Sequence, residues 1–254
     1  MMQLTKVNCI FFIVFKLQCR YNAYGDSMFN VVYGVGFIFV HFLLVLLFYR
    51  QFGKVGLFMF IAVASVLANI QVVKAIEVFN LQATLGNTLY GSIFLATDIL
   101  SEKYSKKDAQ KSVFIGFSSV LFYLVTMQMA LMFEPANEAF ALSIQSSFEL
   151  IFGLSFRIVI ASLTAYVISQ LLDVSVYSWI KSKLMDDKFL WVRNNVSTLF
   201  SQLIDTSIFV SVAFVGLEYN LWQIFLSTYF LKVLIAIADT PFIYLAKKIT
   251  PKKD

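Results

Sequence analysis

Residues 37–70 read FIFVHFLLVLLFYRQFGKVGLFMFIAVASVLANI. The charges in that stretch are Arg50 and Lys54, so two apolar runs, near 31–49 and 54–76, meet at a short basic turn. A helix needs roughly 20 apolar residues to cross about 30 Å of hydrocarbon, and each run is of that length. Outward along the chain, similar runs lie near 83–100, 112–133, 153–174, 196–216 and 222–245. Backbone groups in lipid must satisfy one another, and none of the runs shows the alternation of barrel strands, so all seven are predicted to be helices. Trp179, Trp191 and Trp222 fall at or beside their ends, where indole rings favour the membrane–water boundary. The predicted fold class is all-α, a polytopic membrane helix bundle.

Composition agrees with that reading. Of 254 residues, 59% are apolar and 14% charged, against about a quarter charged in soluble domains. With 28 Phe, 12 Tyr and 3 Pro, disordered, collagen-like and linker-rich classes are excluded. The net charge of +5 sorts by loop. Lys103, Lys106, Lys107 and Lys111 follow the third run, Lys181, Lys183, Lys188 and Arg193 follow the fifth, and Lys247, Lys248, Lys252 and Lys253 close the chain. With Arg50 and Lys54 these are 14 of the 20 basic residues. They alternate with segments 134–152 and 217–221, which carry Glu134, Glu138, Glu149 and Glu218 and neither Lys nor Arg. By the positive-inside rule the basic loops and the C-terminus are cytoplasmic, and seven spans put the N-terminus outside. The basic balance is thereby absorbed by topology, and no nucleic-acid partner is expected.

Residues 1–27 stand apart. Residues 7–15 are apolar, but Lys16 and Arg20 interrupt them before they reach the length of a span, and no small-residue cleavage site follows. The segment reads as an interfacial or unstructured leader, or translation begins at Met28. Cys9 and Cys19 fall within it, without the spacing of a disulfide framework or a metal site.

Polar residues inside the spans carry the functional question. An ionised group at the bilayer centre costs several kcal/mol, so such residues face a bundle interior or an aqueous cavity and find partners. Asp205 lies at the middle of the sixth span and Lys232 at the middle of the seventh. Arg157 is one turn into the fifth, and Asp98, Asp173 and Asp239 lie towards the cytoplasmic ends of theirs, where they reach interfacial water, anchor helix ends or serve function. Helical spacing puts Thr198, Gln202, Asp205 and Phe209 on one face, and Ser162, Tyr166, Gln170 and Asp173 on another. Asn69 and Gln71 add amides. Each Ser, Thr or Gln reads first as interhelical glue, and Asp205 with Lys232 as a structural ion pair; the expense of charge at mid-membrane moves Asp205 and Arg157 towards function. His41, the single histidine, reads as a hydrogen-bonded helix residue. The decapeptides SQLLDVSVYS at 169–178 and SQLIDTSIFV at 201–210 resemble each other at an offset of 32. Chance similarity and ancient duplication both account for that.

Enzyme chemistry is not expected. The chain has no P-loop, HExxH, GxSxG or Cys/His pair. Asp173 with Asp205 is a candidate aspartyl-protease dyad, but the flanking residues lack the YD and GxGD pattern. A channel is disfavoured for want of a filter ring or repeated pore loop. Carboxylates and amides between aromatic walls suit a flat hydrogen-bonding heterocycle, a nucleobase or a vitamin.

The blocks LANIQVVK (67–74), TLGNTLYGSIFLATDILSEKYSKKDA (84–109), RIVIASLTAYVISQLLDVSVYSWIK (157–181), WVRNNVSTLFSQLIDTSIFVSVAFVG (191–216) and KVLIAIADTPF (232–242) resemble the queuosine precursor transporter family, vitamin-uptake-transporter-like integral membrane proteins. The likeness covers about 54–248, with ATDxxxExY, RxxxAS…SQxxD and RNNxSTxxxQxxDT in order. It implies a six-helix transporter core over 51–248, one extra N-terminal transmembrane helix over 28–50, a cytoplasmic tail over 249–254, and a place in the bacterial cytoplasmic membrane. It also implies import of 7-deazaguanine precursors of queuosine: 7-cyano-7-deazaguanine, 7-aminomethyl-7-deazaguanine or queuine. Asn69, Asp98, Glu102, Arg157, Ser162, Gln170, Asp173, Asn194, Asn195, Ser197, Gln202, Asp205 and Asp239 fall on the family pattern. With Tyr166 and Lys232 beside them, all but Asn194 make the expected substrate-binding set. Asp205 and Gln202 are expected at the base edge, Arg157 as a carbonyl or gating partner, and Asp98 with Glu102 as a cytoplasmic-side gate or helix anchor. No cofactor is called for. Partners are the small-molecule deazapurine and the lipid bilayer, with a homo-oligomer or coupling subunits open. The alternative is a substrate-binding subunit of an energy-coupling-factor transporter for a vitamin or nucleobase.

Overall fold

The computed structural model of the chain describes residues 27–78, 81–153, 156–216 and 221–252. The expected leader with Cys9 and Cys19, and Glu218 with most of its loop, lie outside the described residues. Helix α1 runs Ser27–Gln71 and breaks at Gly53, whose φ of 56° and ψ of −135° belong to a region that a side chain would not tolerate. The chain reverses there. A Cβ on Gly56 would stand 2.2 Å from the Phe48 carbonyl oxygen, whereas eight residues of straight helix would separate the two by about 12 Å. The ring of Phe48 meets that of Phe60 at 5.9 Å. The first two predicted spans are therefore two arms of one bent helix.

A hairpin follows where the second span was expected to continue to residue 76. Strands β1 (Ala75–Val78) and β2 (Leu81–Thr84) pair antiparallel, Ala75 opposite Thr84. Helix α2 (Gly86–Lys103) comes next, then α3 (Lys106–Leu131), α4 (Ala139–Phe152), α5 (Phe156–Lys183), α6 (Leu190–Phe214) and α7 (Leu221–Lys248), with a 3-10 turn at Asp187–Phe189 before α6. Helix α3 starts at Ser105, whose hydroxyl oxygen accepts the Asp108 N–H at 3.1 Å and whose proton goes to the Asp108 carboxylate at 2.7 Å, a reciprocal cap. Helix α4 lies in the segment expected to be a loop. Its 14 residues are too few to span, and none is buried.

Helix α2 is the axis of the bundle, packed against α1, α3, α5 and α7. Fourteen of its 18 residues are buried. Because other helices shield it from lipid, it accommodates Asp98, Glu102 and Lys103 where α1, α3, α5, α6 and α7 are long and apolar enough to cross a membrane by composition alone. Gly91 lets α7 come close, since a Cβ there would meet Ile235 Cγ2 at 2.2 Å.

The molecule is apolar outside and polar within. Val32, Leu43, Val55, Val63, Phe122, Met129, Leu226 and Ile237 are exposed, while Asp98, Gln170, Asp173, Arg193, Asn194, Ser201 and Asp239 are fully buried. A solvent-exposed apolar girdle on this scale is a lipid-facing surface. The basic segments converge at one end. Lys252 N–H donates to the Arg50 carbonyl at 2.9 Å, Lys54 pairs with Asp108 at 3.2 Å, and the Lys103 ammonium donates to the Lys247 carbonyl at 2.7 Å.

Candidate functional site

Two helices supply most of the site. Helices α5 and α6 pack antiparallel through the two SQxxD segments, and the segments exchange partners. Ser169 Oγ donates to Asp205 Oδ1 at 3.0 Å, and Ser201 Oγ donates to Asp173 Oδ1 at 3.1 Å. Each serine serves the aspartate of the other copy, so the pair has a local pseudo-twofold. The two rungs lie four residues apart along each helix, about 6 Å.

Between the rungs sit Gln170 and Gln202, 0% and 3% exposed. Gln170 Oε1 accepts from Thr97 Oγ1 at 3.4 Å, while its Nε2 has no partner, nor has Gln202 Oε1. Buried amide atoms without partners cost roughly 1–3 kcal/mol each. One unmet donor and one unmet acceptor at the centre of the bundle are what a hydrogen-bonding ligand would satisfy.

On the side away from the basic end, Lys232 of α7 forms an ion pair with Asp205 Oδ2. The amide of Asn69 donates to Tyr90 Oη at 3.1 Å and its carbonyl accepts from Ser162 Oγ at 3.4 Å. Tyr166 Oη and Ser65 Oγ are 3.5 Å apart, and the Tyr90 and Tyr166 rings are 6.2 Å centre to centre. Towards the basic end the character changes. The carboxyl of Asp98 lies beside that of Asp173: it accepts from Thr198 Oγ1 at 3.3 Å, one turn before the Ser201 that serves Asp173, and it has Asp239 nearby. Asn194 Nδ2 donates to Asp239 Oδ1 at 2.7 Å. Ser197 donates to the Asn194 carbonyl at 3.2 Å. All three aspartates are fully buried, so none reaches interfacial water.

Glu102 closes the column. The Arg193 guanidinium grips it with two bonds, at 2.8 and 3.2 Å. Lys181 at 3.5 Å, Lys247 at 3.2 Å and the Tyr177 hydroxyl at 3.0 Å complete the shell. Burial pushes the Glu102 carboxyl up, but Lys181, Arg193 and Lys247 outweigh it and hold the group below the usual glutamate range. One carboxylate thus ties α2, α5, α6 and α7 together.

The expected residues divide three ways. Asn69, Ser162, Tyr166, Gln170, Gln202, Asp205 and Lys232 surround the centre, whereas Asp98, Asp173, Ser197, Asp239 and Glu102 form the column towards the basic end. Arg157 and Asn195 are elsewhere. Arg157 is exposed at the opposite end, where it donates to the carbonyls of Val212, at 2.6 Å, and Val215, closing the C-terminus of α6. Asn195 donates to Thr240 Oγ1 at 2.7 Å and to the Trp191 carbonyl at 2.9 Å. His41 is bonded to the Phe37 carbonyl at 2.7 Å, as a helix residue should be. Among the participants that escaped the sequence reading are Ser65, Tyr90, Thr97, Ser169, Tyr177, Arg193 and Ser201. Ser169 and Ser201 were visible as the first letters of the repeat. By sequence position Arg193 reads as a loop cation, yet it is fully buried.

Comparison with known proteins agrees with this architecture. Residues 84–246 match the family described as "Putative vitamin uptake transporter". The "Probable queuosine precursor transporter" of Bacillus subtilis (strain 168) is 47% identical over 229 residues, 89% of this chain and 99% of that protein. A "Probable queuosine precursor transporter" of Haemophilus influenzae is 34% identical over 54% of each chain. The "Queuosine precursor transporter" of Escherichia coli (strain K12) is 26% identical over 74% of this chain and 82% of its own length. No solved structure matches. With a match from α2 to α7 and near-complete coverage of the Bacillus protein, the chain belongs to the queuosine precursor transporter family.

Proposed function

We infer that this multi-pass membrane protein imports a 7-deazaguanine precursor of queuosine, bound against the face that the two SQxxD segments form together. The observation that carries the reading is that the buried amides of both SQxxD segments have an unmet atom, Gln170 Nε2 and Gln202 Oε1, with Gln202 one turn before Asp205 on α6. A guanine-like edge presents a carbonyl oxygen, a ring N–H and an exocyclic amine, and so asks for one donor and two acceptors. Gln170 supplies the donor to the carbonyl; Gln202 Oε1 and the Asp205 carboxylate accept the two N–H groups. Tyr166, one turn before Gln170, and Tyr90, whose ring is 6.2 Å from it, offer faces for the ring. The names carried by the relatives support the same class of cargo. The positive-inside rule places the end holding Glu102 and the Lys-rich segments in the cytoplasm.

The test is accumulation of labelled 7-cyano-7-deazaguanine in cells unable to make queuosine, with and without this chain. Uptake is expected to require the protein, and the Gln202→Ala variant to weaken apparent affinity by about 5- to 150-fold, the equivalent of one buried hydrogen bond at 1–3 kcal/mol. Uptake independent of the protein rejects the cargo. A stable complex with ATPase subunits, needed for uptake, would replace autonomous transport by the coupling-factor alternative.

A further inference from the structure

The pseudo-twofold of α5 and α6 makes Asp173 and Asp205 equivalent, and their surroundings differ in one respect. Beyond its serine, Asp205 meets the Lys232 ammonium. Beyond its serine, Asp173 meets Asp98, another carboxyl, where its counterpart has a cation. The charged and titratable groups around this second pair are Asp239 from α7, Tyr177 from α5, and Glu102 further along α2. Arg193, Lys181 and Lys247 are committed to Glu102. From α1 and α3 the charged pair Lys54–Asp108 lies at the basic end. Two carboxylates side by side in a buried site do not both ionise.

The hydrogen bonds are short of the same thing. Asp98 Oδ1, Asp173 Oδ2 and Asp239 Oδ2 lack donors. An independent side chain says so too: Asn194, fully buried, is turned into the cluster by its bond to Asp239, and its Oδ1 has no donor. Acceptors without donors call for protons. A metal ion fits less well, since among the described residues no three acidic, His or Cys side chains gather closely enough to hold one.

We propose that Asp98 and Asp173 form a proton-binding site that couples proton entry to cargo import, the proton standing where Lys232 stands for Asp205. The site accepts a proton from water on the outer side, forming one O–H bond shared by the pair, and releases it to water on the basic side, so that one proton enters with each molecule of cargo and the carboxylates are regenerated. The coupling rests on the proposed cargo; the proton site does not.

Two measurements separate them. Infrared spectroscopy of the purified full-length protein at neutral pH is expected to show protonated-carboxyl C=O absorption that loses a component in both Asp98→Asn and Asp173→Asn and keeps it in Asp205→Asn, with any remainder assigned to Asp239 by Asp239→Asn. Absence of that absorption from the wild-type protein, or its survival at full intensity in both variants, overturns the site. In proteoliposomes with 7-cyano-7-deazaguanine, a pH step of one unit, acid outside, is expected to drive about tenfold accumulation, lost in Asp98→Asn. Accumulation driven by sodium instead, or equilibration without accumulation at any pH step, overturns the coupling and leaves the cargo standing. If the deazaguanine does not enter at all, the cargo falls and the infrared band alone decides the proton site.

Discussion

Lys232 neutralises Asp205 in the interior of the bundle, with 7% and 18% of the two side chains exposed. Removing one partner from such a pair leaves a stranded charge, which costs about 3–5 kcal/mol, whereas removing both charges is much milder. Lys232→Met is therefore expected to lower the thermal midpoint of the purified protein sharply, and adding Asp205→Asn to restore most of the loss. A double variant as unstable as Lys232→Met would mean that Lys232 acts through something other than this pair. Glu102 makes the complementary case at the basic end. Its three cations hold it below its unfolded value of about 4.3. A lowered folded pKa contributes stability above the unfolded pKa and loses it as pH falls through the folded value. Acid unfolding is thus expected to set in below about pH 4.3, and Glu102→Gln to flatten that limb while lowering stability at neutral pH; an unchanged limb would take Glu102 out of the ion network's energetics.

Helices α5 and α6 show what a repeat in an apolar sequence can mean. Read along the chain, SQLLD and SQLID were as consistent with chance as with duplication, because periodicity says which residues share a face and not which face they meet. The antiparallel crossing supplies the missing term: each serine reaches the other copy's aspartate. Ser169→Ala and Ser201→Ala are each expected to cost about 1–3 kcal/mol, as the loss of a buried hydrogen bond to a carboxyl group does, read from thermal midpoints. At the turn of α1 the logic is steric. Gly53→Ala is expected to cost about 1–3 kcal/mol because its φ and ψ suit glycine alone; an undisturbed midpoint would mean that the turn relaxes freely. At the crossing of α2 and α7, Gly91→Ala should destabilise, and Ile235→Ala should relieve it, since the clash is with a side-chain methyl group. The hairpin and α4 escaped a reading based on length and hydropathy for a related reason. Ala75–Val78 extends an apolar run, and Ala139–Phe152 is apolar but short, so neither breaks the pattern that a span search follows.

At the scale of the whole molecule, the polytopic helix bundle was legible because lipid leaves a chain few choices: length and apolarity suffice for the five helices long enough to cross, while α2, expected as a span, is the buried axis among them. The column of buried polar groups was half legible, through the expense of charge in a span, while its partners depended on which helices touch. Sidedness remains the property on which cargo direction and proton entry both depend, and it has a direct test. Helix α3 separates the basic end, where Lys107 is exposed, from the segment around Ala136, also exposed. In a protein with Cys9 and Cys19 replaced by Ser, Ala136→Cys is expected to react with a membrane-impermeant thiol reagent on intact cells, and Lys107→Cys to react only after permeabilisation. Reversed labelling would invert the molecule, so that the Asp98–Asp173 pair would lie nearer the outer face and the proposed order of proton entry and release would be wrong. Labelling of both positions from one side would mean that α3 does not cross, and with it would fall the alternation that brings Arg50, Lys54, Lys103 and Lys252 to a common end.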